Sequence, residues 1–273
     1  NVPNVVSSSL FGFHTPLNTD PTSTDLTWQS AANDYGLQIY AVKKPGQFAE
    51  IISPLSKVKD AYFIVKDRTG NTLLTSSVFR NVYDNERWNL SLTLKPKRYP
   101  FCNSIISSSV SSTGYELGLY GVNFNSGNKQ NYFNITSDLD YVSGSSIIGS
   151  AKRIYIGAHK TNFTGSAITI TDVRASSTRY WTQFLSPEVL DIQAKEVDTN
   201  GTLHPSRNSY LFQTASSGVH IPSIQTLALD WQFTKVTGSS ASGRFIVEDS
   251  SYGLNNSSYE ATYQGTTLSN INL

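Results

Sequence analysis

Three observations predict an all-β protein. Charged residues make up 15% of the chain, below the roughly 25% of an average soluble protein. Ser and Thr together supply about a quarter of it and aromatics 12%, a composition suited to strands whose outer faces carry hydroxyls in place of Lys and Glu. Second, apolar residues recur with a period of two in segment after segment. Third, one short stretch carries helix-start signals. Ser186-Pro187-Glu188 offers a hydroxyl N-cap, a proline at the first helical position and an acid in the first turn, with Leu185 and Leu190 spaced for a hydrophobic staple.

Taken in order, Asn1–Phe13 opens with a short apolar strand and Pro16–Ser23 is a loop. Leu26–Ala31 and Tyr35–Val42 read as strands around Asn33-Asp34, and Lys43–Lys57, with Pro45-Gly46 and Pro54, as a loop insertion. Asp60–Lys66, the turn Asp67–Asn71 and Thr72–Phe79 form a hairpin. Arg87–Leu94 alternates Leu90, Leu92 and Leu94 towards a core, followed by a serine-rich loop over Pro96–Ser112. Tyr115–Asn123 and Gln130–Thr136 are strands, and Asp138–Ser150 is a Gly/Ser loop. Arg153–Gly157 alternates again, Phe163-Thr164-Gly165 turns the chain, and Ala167–Arg174 returns. A Trp/Tyr-rich connection then leads to the helix near Pro187–Glu196.

Beyond the helix the texture loosens. Asp198–Asn208 is loop, Tyr210–Gln213 apolar, Thr226–Phe233 a strand, Thr237–Gly243 a turn and Arg244–Glu248 a second strand. Tyr252–Leu273 is polar and not expected to fold by itself. The expected boundary lies near Thr199. Residues 1–198 are expected to form one sandwich and 199–273 a β extension: a linker or the start of a neighbouring module. Two strands alone make a marginal ribbon with open edges, so the tail is expected to pack on another subunit or a following domain. The 273 residues suffice for a large β-sandwich with an appendage or for two modest domains. Methionine is absent even at position 1, which reads as a processed chain or a piece of a longer one.

Net charge is +1, and Lys95-Pro96-Lys97-Arg98 is the longest run of one sign, a solvated turn. No basic face interleaved with aromatics points to nucleic acid, and no apolar run reaches the 18 or so residues of a membrane span. The lone Cys102 has no partner for an internal disulfide and no flanking nucleophile signature; a buried thiol is the expectation. Asn89, Asn134, Asn162, Asn200, Asn255 and Asn256 begin Asn-x-Ser/Thr triplets. With 21 asparagines in a chain this rich in hydroxyls, roughly five would arise by chance, so their number carries no information.

The run Arg153–Ala194, with Phe163-Thr164-Gly165, Asp172-Val173-Arg174 and Leu185-Ser186, resembles the closing strands and sealing helix of laminin G-like domains, members of the concanavalin A-like superfamily. Trp88 with Leu90, Leu92 and Leu94 resembles that family's tryptophan-led strand. Tyr115–Asn123 resembles its Leu-Tyr strand, with Asn123 and Phe124 where Asp and Gly would stand, a departure expected to touch only the turn. The resemblance implies a two-sheet antiparallel jelly-roll sandwich with one short helix, lacking an upstream strand. A second resemblance, to structural proteins of marine tailed phages, is carried by Ser9–Gly12, Tyr83–Asn89, Lys152–Gly165, Arg179-Tyr180-Trp181, Thr202–Phe212 and Leu227–Ser250. It covers most of the chain and implies a virion location with other copies or other virion proteins as partners.

Chemistry is sparse. Superfamily glucanases carry Glu-x-Asp-x-(x)-Glu on one strand. Here Asp138-Leu139-Asp140 has no following glutamate, and Asp84 with Glu86 lacks a third acid. His14, His159, His204 and His220 never reach metal-ligand spacing, and His159 reads as a turn residue. The laminin G-like resemblance implies a possible calcium on a loop edge, for which Asp138 with Asp140, or Asp198 with Asn200, are candidates; neither pair supplies the six to eight oxygens calcium needs. No other cofactor is expected. For a ligand such as a host-surface glycan the candidates are Trp181, Tyr180, His159 and Asn162. Trp88 favours packing over stacking on sugar; Trp181 stands between core lid and binding surface. The expected function is a non-enzymatic virion module for assembly and possible glycan attachment, with a secreted or cell-surface lectin-like adhesin as the alternative.

Overall fold

The computed structural model describes residues 6–14, 36–45, 55–67, 69–97, 114–150, 152–157, 159–160, 167–169, 173–195, 212–214, 220–222, 226–239, 244–249, 251 and 261–264. Contacts divide the chain into two compact units, Asn1–Arg174 and Ala175–Leu273; the expected boundary at Thr199 lies outside the described residues. Among those residues the architecture is mainly antiparallel β with two helices.

In the first unit, β1 (Ser7–His14), β2 (Gly36–Lys43), β3 (Ala61–Asp67) and β4 (Thr72–Thr75) form a meander. A 3₁₀ turn, Leu55–Lys57, precedes β3. β5 (Trp88–Pro96), β6 (Tyr115–Asn125) and β7 (Asn128–Leu139) form a second antiparallel sheet. The helix α1 (Tyr141–Gly149) leads to β8 (Arg153–Ile156), which returns to the first sheet and pairs with β1, giving the order β4-β3-β2-β1-β8. The short strands β9 (His159–Lys160) and β10 (Ala167–Thr169) pair with each other. The expected strand Ala167–Arg174 is thus shorter, since 173 and 174 are not extended into it.

Alternation explains why the two sheets pack. Leu37, Ile39 and Ala41 of β2, Phe63 and Val65 of β3, and Leu74 of β4 point inward, where Leu117 and Leu119 of β6, Phe133 of β7 and Ile147 of α1 meet them. At about 25 cal/mol per Å² of apolar surface removed from water, such a shared core is the main force holding the sheets together. Phe63, Phe79, Trp88 and Phe133 cluster with ring centroids 5.0–6.4 Å apart, and Trp88 is therefore a packing residue. Leu90, Leu92 and Leu94 face this core as expected, but only half-buried, because β5 is an edge strand.

The β6–β7 connection is a two-residue turn, Ser126-Gly127, with φ of 50° and 78°. Positive φ at both centres matches the twist of a tight hairpin. Asn123 is consequently not a turn residue: it pairs with Trp88 and Asn131 inside the sheet and is 1% exposed. Its amide donates to Glu86 Oε2 at 2.6 Å and to the Arg87 carbonyl at 3.0 Å.

The Gly/Ser segment expected as a loop is α1. Asp140 caps it by accepting from the Ser143 N–H at 2.9 Å, and Lys152 donates to the Ile148 and Ser150 carbonyls at the other end. Gly144 lies against the Tyr115 ring so closely that a Cβ would collide with it.

In the second unit, β11 (Ser177–Trp181), β14 (Leu227–Ser239), β15 (Arg244–Asp249) and β16 (Ala261–Gln264) form a four-stranded antiparallel sheet, while β12 (Phe212–Thr214) pairs with β13 (His220–Pro222). The Trp/Tyr-rich connection is therefore a strand, and the tail strands have partners within their own unit. The helix α2 (Pro187–Lys195) starts where its signals place it, the Ser186 carbonyl accepting from the Leu190 N–H at 3.0 Å. Leu26–Ala31, Cys102 and the Phe163–Gly165 turn lie outside the described residues.

Candidate functional site

Tyr180 and Trp181 close β11, opposite Leu229 and Leu227 of β14, with a register shift between the two pairs. Both facing leucines are buried. Burial raises the Tyr180 phenol above its ordinary value, and the Trp181 indole N–H is buried without a hydrogen-bond partner, as is that of Trp231. Both aromatic side chains are half-buried.

The neighbouring residue was not anticipated. Arg179 Nε meets Asp230 Oδ1 at 2.9 Å, with side-chain exposures of 8% and 0%. Gln232 Nε2 donates to the other carboxylate oxygen at 3.3 Å. Asp249 Oδ1 accepts from the backbone N–H of Asp230 and of Ser251, each at 2.9 Å. The charges are thus paired and hydrogen-bonded across β11, β14 and β15, the condition for tolerating charge in a low-dielectric interior. Alternation alone hides this: Asp230 sits between Leu229 and Trp231 and reads as the solvent side of a half-buried strand.

Two of the four calcium candidates, Asp138 and Asp140, hold structural posts. Asp138 pairs with Lys97 and Asp140 caps α1. Hydrogen bonds from Ser143 hold the Asp140 carboxyl below the usual range. Asp84 pairs with Lys59 at 2.6 Å and Glu86 accepts from Asn123. Among the described residues no three His, Cys, Asp or Glu side chains gather as metal ligands. Of His159 only the backbone, in β9, is described; Asn162, Asp198 and Asn200 lie outside the described residues.

Among the described residues an exposed array lies on the outer face of β7. Tyr132, at 63% exposure, leads a row with Asn134, Thr136 and Asp138, all exposed. A register shift beside Gln130 brings Lys129 onto the same face. Its ammonium lies 4.8 Å from the Tyr132 ring centre and 3.3 Å from the Tyr120 hydroxyl, the re-aiming that a bulge produces. At the other end Lys95 and Glu116 pair at 3.1 Å. This face can stack, donate and accept, and contains no arranged nucleophile and base.

No family model, no curated protein and no solved structure matches the chain. No described helix is long and apolar enough to cross a membrane.

Proposed function

We propose that this chain is a non-enzymatic structural module of a tailed-phage particle, a laminin G-like jelly roll built into the virion or displayed on it and joined to other copies or other virion proteins. The observation that carries this reading is the employment of its polar side chains. Asp138, Asp140, Asp84, Glu86 and the Arg179–Asp230 pair each fasten a strand, a helix end or a sheet register. Two of the six segments that carry the phage resemblance also fall on fastening points: Ser9–Gly12 where β1 meets β2 and β8, and Arg179–Trp181 where β11 meets β14. Outer faces rich in amide and hydroxyl groups suit a protein that meets other surfaces.

Immunogold labelling with an antibody to this chain, joined to peptide mass spectrometry of purified particles, tests the reading. The expected result is the chain in intact virions in many copies. Recovery in the wall or medium fraction of cells carrying no phage would overturn it in favour of the adhesin.

A further inference from the structure

We infer that two copies of this chain join edge to edge through β7, antiparallel, with Asn134 facing Asn134 of the partner subunit across a two-fold axis. The pairing deepens the assembly role proposed above and rests on it for the identity of the partner.

Sheet edges are normally blunted by short strands, Lys, Pro or bulges. In the first unit β4 and β8 have four residues each, and β5 ends in Lys95-Pro96. β7 is 12 residues long, and its backbone ladder, among the described residues, is with β6, at one margin of its sheet. β4 of the facing sheet approaches it without joining its ladder. The bulge beside Gln130 and the charge of Asp138 bracket the strand; the segment 131–137 between them contains no Pro, Lys or Gly and runs in unbroken register with β6.

That segment is complementary to itself in one register. Antiparallel neighbours must place like faces together, so each residue faces one of the same parity. With Asn134 on the axis, outward Tyr132 faces Thr136, inward Phe133 faces Ile135, and Asn131 faces Ser137. The first two of these sets are aromatic against β-branched, a favourable class of cross-strand pair, with an amide pair at the centre and an amide against a hydroxyl at the flank. Moving the axis to Phe133 sets Tyr132 against Asn134 and Asn131 against Ile135. Moving it to Ile135 sets Tyr132 against Asp138 and Phe133 against Ser137. An isologous contact of this kind closes as a dimer and yields a continuous sheet through both copies.

Disulfide trapping reads the register directly. Opposed residues at the axis have Cα atoms about 4.5–5.5 Å apart, within the span of a disulfide, whereas Tyr132 lies four positions, about 13 Å, from its own copy. In full-length chain carrying Cys102→Ser, Asn134→Cys is expected to cross-link to dimer under mild oxidation, and Tyr132→Cys and Thr136→Cys are not. Asn134→Lys, on an exposed position, is expected to weaken dimerisation about tenfold by opposing like charges, and the double exchange Tyr132→Thr with Thr136→Tyr is expected to preserve it. Monomer across the whole loading range in sedimentation equilibrium, or cross-linking favoured at 132 or 136, overturns the inference. A chain present in virions yet monomeric keeps the assembly role and sinks this pairing; a β7 dimer absent from particles does the reverse.

Discussion

Asp230 shows what one buried carboxylate commits a strand to. With 0% side-chain exposure beside Arg179, its charge is tolerable only while the guanidinium stays. Asp230→Ala is expected to lose about 3–5 kcal/mol by stranding a buried cation, measured by urea unfolding, whereas replacing both partners with apolar residues of similar volume should cost much less. Tyrosine ionisation supplies a second check. Burial raises Tyr115, with Tyr141 adding to it, and burial raises Tyr180. Their stabilising contribution is complete below the unfolded value near 10 and is lost as pH rises through the higher folded values. Phenolate absorbance is therefore expected to show a late-titrating fraction that appears together with alkaline unfolding. Asn123 marks the limit of reading at this scale. Its side-chain type belongs to turns, and only the register with Trp88 and Asn131 reveals an interior residue.

At the scale of elements, strands were legible because a period of two survives one buried face: β1, β2, β3, β5, β6, β7, β8 and α2 fall close to where pattern and capping put them. α1 was not legible. Three serines and two glycines in its nine residues argue against a helix on propensity, and burial of Gly144 on Tyr115 overrides it. Gly144→Ala should consequently destabilise by about 1–3 kcal/mol through overpacking although alanine is the better helix former; thermal melts decide the sign. Asp140→Ala should cost about 1 kcal/mol as a lost cap. Because hydrogen bonding lowers the Asp140 carboxyl, that contribution is present above the unfolded value near 4 and fades as pH falls through the folded one, so the two proteins should converge in stability at acid pH. β11 was missed for another reason: its partner β14 lies 51 residues on at the Arg179–Asp230 contact, beyond the reach of any local pattern. Of the candidate site, the exposed row of β7 left no distinct mark, since alternation of Tyr132, Asn134 and Thr136 with Phe133 and Ile135 is what any half-buried strand displays.

For the molecule as a whole, two compact units predict separable folding. The piece Asn1–Arg174 should give a cooperative urea transition by itself, followed by near-ultraviolet circular dichroism of its aromatic cluster; a broad, non-cooperative melt would contradict the division. The second unit differs in how its pieces come together. Its first strand must wait for β14, and closing so long a loop is slow and entropically costly before any contact rewards it. During synthesis β11 therefore leaves the ribosome with its arginine in water and nothing to dock on. At the roughly 5–20 residues per second of translation, that strand stays unsatisfied for several seconds, and the unit acquires its fold only when Asp230 has emerged.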